Sequence, residues 1–272
     1  MRRYRSFMYN IKYMNDKIKN FHDYFNNLTV LAALSGGTDS IALLHILKKH
    51  TNADVTAVTI TGAHIPEKEI TRAKNFCEKF SVKHKILPVD IHKINGLDDK
   101  DRCYFCKKSI FSLLKNMAKN IGANIIVDGS NIDDKNDYRP GMKALKELDV
   151  FSPFLHFGWS KNNIFDYLKE QNLDEFISPS NACLISRISY GSDFTDELLR
   201  EIDKFENFLR SLGFKQVRAR IHNDIIRIEI EKERFNIFFE QINLIKKSAE
   251  KLNKKFVTLD LNGFRSGSMN PT

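Results

Sequence analysis

Two hydrophobic periods alternate along the first two thirds of the chain. Ile11, Met14, Ile18 and Phe21 or Tyr24 recur at helical spacing, which predicts an opening helix over residues 8–26. Residues 28–34, apolar except for Thr29, then read as a buried strand, and Ile41, Leu44 and Leu47 mark the helix after it. Residues 54–61 (DVTAVTIT) are rich in β-branched side chains and predict a second strand. Pro66 suits the first turn of another helix, and residues 85–89 read as a third strand. A helix opening at residues 101–107 carries the stripe Ile110, Leu113, Leu114, Met117 and Ile121; a strand at 124–127, a short strand at 150–154 and a helix at 161–171 follow. Strands alternating with helices imply right-handed βαβ units, and so an α/β fold with a parallel sheet covered on both faces. A ligand then belongs at the carboxyl ends of the strands.

After Gly191 the pattern changes. Leu198, Ile202, Phe205 and Leu209 line one face of a helix over 195–212, closed by Gly213. Strands at 217–221 and 225–230, joined by His222-Asn223-Asp224, make a hairpin, and a helix from about 233 to 252 and a strand at 256–261 complete the chain. The expectation is two domains: residues 1–190, and a small α+β domain over 191–272 that binds substrate or mediates oligomerisation.

Length and composition narrow the class. The 272 residues, 42% hydrophobic and 28% charged, suit a globular protein with ample core. No stretch reads as a membrane span or a signal peptide, so a cytoplasmic protein without a membrane partner is expected. A net charge of +9 suits an anionic partner: a nucleotide, a phosphorylated metabolite or RNA. Because the lysines are scattered beside glutamates and no arginine–aromatic stripe appears, a nucleic-acid partner is not expected. Four cysteines are too few and too uneven for a disulfide scaffold.

The candidate chemistry begins at Ser35-Gly36-Gly37-Thr38-Asp39-Ser40, between the first strand and its helix. Two glycines there let the backbone approach a ligand and aim several N–H groups at it from the positive end of a helix. Ser35, Thr38 and Ser40 add hydroxyls, and Asp39 can cap the helix or hold magnesium. Asp128-Gly129-Ser130-Asn131-Ile132-Asp133-Asp134 lies where another parallel strand ends, either as a magnesium site beside bound phosphates or as an ordinary polar turn. Cys103 and Cys106, three apart at a helix start, share one face, and Arg102, Lys107 and the helix end favour their thiolates. Cys183, in the turn-rich segment 178–191, is either chemically engaged or an incidental surface thiol, whereas Cys77 beside Phe76 and Phe80 reads as a small buried hydrophobe. Arg218 and Arg220 point to one side of their strand, where a phosphate, or Glu229 and Glu231, would balance them.

SGGTDS resembles the pyrophosphate-binding signature of the PP-loop ATP pyrophosphatases, without a mismatch. With DRCYFCK, VDGSNIDD followed by DYRPG, ACLISRISYG, LGFKQVRARIHNDIIRIEI and VTLDLNGFRSGSMN, the chain resembles the LarE family of sulfur transferases nearly end to end. That resemblance implies the PP-loop (adenine nucleotide alpha hydrolase-like) fold, with adenine near Thr59, Ile60 and Thr61 and phosphates at Ser35–Ser40 and Asp128. It implies ATP and Mg2+ as cofactors and a nucleotide-like substrate, pyridinium-3,5-dicarboxylate mononucleotide, whose carboxylate is adenylated before sulfur displaces AMP. Its phosphate is expected at Arg218 and Arg220, and Cys183, Asp39 and Arg187 are the expected catalytic residues. One kind of family member sacrifices a single cysteine at the position of Cys183; the other resembles cluster-dependent thiolases. Cys103 and Cys106 accompanying Cys183 select the second kind, with a 4Fe-4S cluster on the three cysteines, an external sulfide donor, and zinc as the competing metal. A homo-oligomer is expected. Ser160 stands where the family usually has threonine, and the arginine that commonly follows its lysine is absent, which bears on substrate identity. The competing functions are a PP-loop tRNA thiolase and an ammonia-dependent amide synthetase of the NAD/GMP synthetase type.

Overall fold

The computed structural model describes residues 2–136, 140–179 and 181–269. Asp137, Tyr138 and Arg139 of the DYRPG motif, Ser180, and the final Asn270 of the closing motif lie outside the described residues. The chain divides into two compact units: Met1–Thr61, Lys68–Val89 and Cys103–Ser180 form one, and Gly62–Glu67, Asp90–Arg102 and Asn181–Thr272 the other.

The first unit opens with α1 (Arg2–Phe25), β1 (Thr29–Ala33), α2 (Thr38–His50) and β2 (Asp54–Thr61). It continues through α3 (Glu67–Lys79), β3 (Lys83–Pro88), α4 (Arg102–Asn120), β4 (Ile125–Val127), α5 (Gly141–Glu147), α6 (Pro153–His156) and α7 (Lys161–Glu170). Its sheet is parallel throughout, in the order β3-β2-β1-β4. Strand alternation sends side chains to two separate cores. Val30, Ala32, Leu34, Val55, Ala57 and Val127 pack with Phe21, Leu44, Phe76, Phe154, Trp159 and Tyr167. Leu31, Val58 and Ile126, one step out of phase, pack with Phe111, Leu114, Ala118 and Leu145. The helices thus cover both faces, which is the expected α/β arrangement.

The strand expected at 150–154 is a single bridge, Val127 to Phe151, and the chain turns into α6 at once. Pro153 explains this, because it has no N–H for a ladder and a backbone suited to a helix's first turn.

In the second unit α8 (Asp196–Ser211) accompanies a three-stranded sheet of β5 (Arg218–His222), β6 (Ile225–Glu229) and β7 (Phe256–Leu259), in that order. β5 and β6 are antiparallel around Asn223, whose φ of 51° is one that asparagine tolerates, and β7 is parallel to β6. The helix expected over 233–252 is broken into α9 (Phe235–Glu240) and α10 (Ile242–Ala249) at Gln241, whose ψ of 11° leaves the helical range. The apolar stripe there is too broad for one straight face: Phe238, Ile245 and Leu252 are buried, while Phe239, Ile242 and Leu244 stay exposed. Among the described residues no helix is long and apolar enough to cross a membrane.

Candidate functional site

The loop between β1 and α2 lies at the carboxyl edge of the parallel sheet, with Gly36 at a φ of +80°. That conformation favours glycine, and a Cβ here would run into the Glu69 carbonyl from α3. The Ser35 and Ser40 hydroxyls lie 3.0 Å apart; Gly37 N donates to Ser35 Oγ, and Ser40 Oγ donates to the Gly37 carbonyl. No side chain caps α2, whose start faces the loop.

The stretch after β4 packs against this turn: a Cβ on Gly129 would press on the backbone of Asp39 and Ser40. Asn131 Nδ2 donates to Asp39 Oδ2 at 2.9 Å, fixing the carboxylate beside the loop. The buried Asp128 accepts from the Ser130 and Ser152 hydroxyls, with Lys107 Nζ at 3.8 Å. Asp133 and Asp134 accept backbone N–H groups from Lys161 and Asn131. Of the residues expected near adenine, Thr59 is buried, donating to the Leu34 carbonyl and meeting His84 Nε2, while Ile60 and Thr61 are half-buried at the strand's end.

Cys103 is exposed and Cys106 half-buried on the first turns of α4, and the main chain of Cys103 underlies Gly141 at the start of α5. No cysteine is in a disulfide. Burial pushes the Cys77 thiol up to about 12, with Glu78 adding to the effect, so this cysteine is an inert core residue.

In the second unit, half-buried Cys183 precedes a single helical turn, Leu184–Arg187. Its carbonyl accepts from the Ser186 backbone and hydroxyl and from Arg187 Nη1, and Leu184 N donates to the His64 carbonyl. Arg187 is fully buried. It meets Glu206 of α8 through two bonds of 2.9 Å and also donates to the Ala182 and Cys183 carbonyls, Ser186 Oγ and Asn181 Oδ1. Burial alone would raise the Glu206 carboxyl, but Arg187, backed by Arg218 and Arg210, outweighs it and holds the group well below the usual carboxylate range. Arg187 thus fastens the Cys183 loop to α8.

Arg218 and Arg220 sit together on one side of β5, both buried. Arg220 contacts Glu229 at 3.2 Å and donates to the Ser186 carbonyl and Ser268 Oγ, while Arg218 donates to the Val217 carbonyl and stacks over Phe264. Burial, then the neighbouring Arg187, pulls the Arg218 guanidinium down to about 9. Glu229 is shared, since Arg227 also pairs with it at 3.0 Å.

The PP-loop domain family matches residues 10–138. Pyridinium-3,5-bisthiocarboxylic acid mononucleotide synthase of Lactiplantibacillus plantarum is 32% identical over 89% of this chain and 89% of its own length. An uncharacterised Methanocaldococcus jannaschii protein is 32% identical over 92% of this chain and 96% of its own, and one from Synechocystis sp. is 30% identical over 94% and 98%. The chain belongs to the LarE family of PP-loop proteins. The PP-loop family uses ATP, usually with Mg2+.

Of the sites expected for a LarE protein, Ser35–Ser40, Thr59–Thr61, Asp128, Cys103 and Cys106 fall in the first unit, and Cys183, Arg187, Arg218 and Arg220 in the second. Among the described residues no three or more His, Cys, Asp or Glu side chains are gathered for a metal ion. Sequence reasoning missed Glu206, although a glutamate inside the stripe Ile202, Phe205, Leu209 is a signal of a buried charge with a partner. It also missed Glu69 and Arg72, which interrupt the buried face of α3 in the same way.

Proposed function

We propose that the protein is an ATP-dependent sulfur transferase of the LarE kind. What supports the reading most is the glycine turn pinned against Glu69 at the sheet's carboxyl edge, in a chain similar along nearly its whole length to a thiocarboxylate-forming synthase. In the first step a substrate carboxylate oxygen attacks the α-phosphorus of ATP, pyrophosphate leaves, and an acyl adenylate forms. Hydrosulfide then attacks the acyl carbon, AMP leaves with the former carboxylate oxygen, and a thiocarboxylate and a proton remain. The substrate proposed is pyridinium-3,5-dicarboxylate mononucleotide.

Ser35–Ser40, at the start of α2, would hold the phosphates, and Asp39, bonded by Asn131, would be a ligand for their magnesium. Arg218 and Arg220 lie in a cluster with Arg187, Arg210 and Arg227, together with Glu206, Glu229 and Asp260, and would take the substrate's phosphate. Arg187, expected among the catalytic residues, is read instead as positioning the Cys183 loop, because its guanidinium is fully buried against Glu206. Cys103, Cys106 and Cys183, three thiols that are not deeply buried, would be the ligands of a 4Fe-4S cluster, whereas Cys77 is a buried core residue. Such a cluster would supply iron to which hydrosulfide can be delivered.

Anaerobic purification, metal and sulfide analysis, and substrate-dependent ATP–pyrophosphate exchange test the reading. Exchange is expected, with about four irons per chain. Alanine at Cys103, Cys106 or Cys183 should abolish iron binding and leave exchange, while Cys77→Ala spares both. Absence of exchange would remove the adenylation step; dehydroalanine at Cys183 after one turnover would replace the cluster by a sacrificed cysteine.

A further inference from the structure

Thr38 is the variable position of SGGTDS, yet its side chain turns away from the loop it belongs to. Its hydroxyl lies 3.2 Å from the carbonyl oxygens of both Phe176 and Ser178 and accepts the Ser178 N–H at 3.0 Å. Arg72 of α3 grips the same segment, donating through Nη1 to Ser178 Oγ and through Nη2 to the Phe176 carbonyl. Glu69, one turn earlier on α3, lies 3.8 Å from Arg72 and supplies the carbonyl against which Gly36 rests. Thr38, Glu69 and Arg72 are all buried, so these bonds are shielded from water. Phosphate loop, α3 and residues 176–178 form one connected group, and Cys183 is five residues beyond Ser178 in the chain.

We propose that Thr38 and Arg72 are positioning residues that latch the segment leading to Cys183 onto the phosphate loop, so that nucleotide in the loop orders that segment. The proposal rests on the nucleotide reading given above. A nucleotide fixes the backbone of residues 35–40, and with it the Thr38 hydroxyl; the Ser178 N–H it accepts and whichever carbonyl, Phe176 or Ser178, takes its one proton are then held in one geometry. Linkage makes the effect reciprocal: a segment already latched should raise nucleotide affinity by the factor by which nucleotide favours the latch. The consequence for the reaction is mutual: ATP in the loop and an ordered segment at residues 176–178 favour one another.

Hydrogen exchange of the full chain, with and without Mg2+ and α,β-methylene-ATP, reads the latch, with calorimetry reporting binding separately. In the wild type the analogue should slow exchange in peptides covering residues 176–187 by about fivefold or more, the lower end of ordinary coupling. Thr38→Val, which keeps the shape and loses the hydroxyl, should reduce the effect below about twofold, and Thr38→Ser should restore it. Arg72→Met, outside the phosphate loop, should act like Thr38→Val, and decides the matter if valine at position 38 prevents folding or binding. A wild type that binds the analogue without protecting 176–187, or an Arg72→Met variant that binds it with full protection, overturns the latch. A wild type that does not bind the analogue overturns the nucleotide reading instead, and the latch with it.

Discussion

Gly36 and Gly37 are adjacent and look interchangeable in SGGTDS, but the structure asks different things of them. Gly36 needs a positive φ and leaves no room for a Cβ beside Glu69, whereas Gly37 has a φ of −74° and its Cβ would only crowd Ser35 Oγ at 3.3 Å. Gly36→Ala is therefore expected to abolish ATP–pyrophosphate exchange and to cost at least about 1–3 kcal/mol of stability, by strain and displacement of α3. Gly122→Ala, at a φ of +66° but with open space around it, isolates the backbone term and should cost only about 1 kcal/mol. Urea unfolding of the two variants separates the effects. Equal losses would mean that the contact with Glu69 is immaterial.

At the scale of elements, what was legible in the sequence was whatever one element's own period expressed. The strands at 29–33 and 54–61 stand out because their residues alternate between two apolar cores, and the hairpin at 222–225 because a two-residue turn with asparagine needs no distant partner. The break at Gln241 was not legible, since no glycine or proline marks it and only burial decides which part of a broad apolar stripe wins. In the candidate site the Ser35–Ser40 turn was readable as a local motif, whereas the Arg187–Glu206 pair joins residues 19 apart and exists only once α8 packs. That pair carries a prediction about the element it holds. Removing one partner of a buried, doubly bonded ion pair typically costs about 3–5 kcal/mol, because the other charge stays behind. Arg187→Met should therefore lower the urea midpoint and speed hydrogen exchange over residues 181–190 and 196–211, while β1 to β4 exchange as before. Uniform loss of protection along the whole chain would contradict so local a role.

Each unit of the molecule carries its own sensitivity to acid. In the first, His45 of α2 is buried beside Tyr167 of α7, with Nδ1 2.7 Å from the phenol oxygen, which also meets His50 Nε2 at 3.1 Å. Burial, reinforced by Lys49 and His50, pulls the His45 imidazole down to about 4. In the second, His64 is buried with neither ring nitrogen bonded among the described residues; burial, only partly offset by Asp196, takes it to about 4 as well. A histidine whose folded value lies below its ordinary 6.5 takes up its proton first in the unfolded chain. Its contribution to stability is complete above that pH and is lost as pH falls from there through about 4, by no more than about 1.4 kcal/mol per pH unit for each group. Hydrogen exchange at a series of pH values from 7.5 to 4.5, corrected for intrinsic rates, should show both units loosening on acidification. His45→Gln should flatten the response in α2 and α7 alone. His64→Leu should flatten it around residues 62–67 and 181–190 and should stabilise that unit even at neutral pH, because an apolar side chain replaces a ring with unsatisfied nitrogens. If both variants keep the wild-type pH response, the acid sensitivity belongs to other groups; if His64→Leu loosens its unit at neutral pH, the ring is held there by a partner it requires.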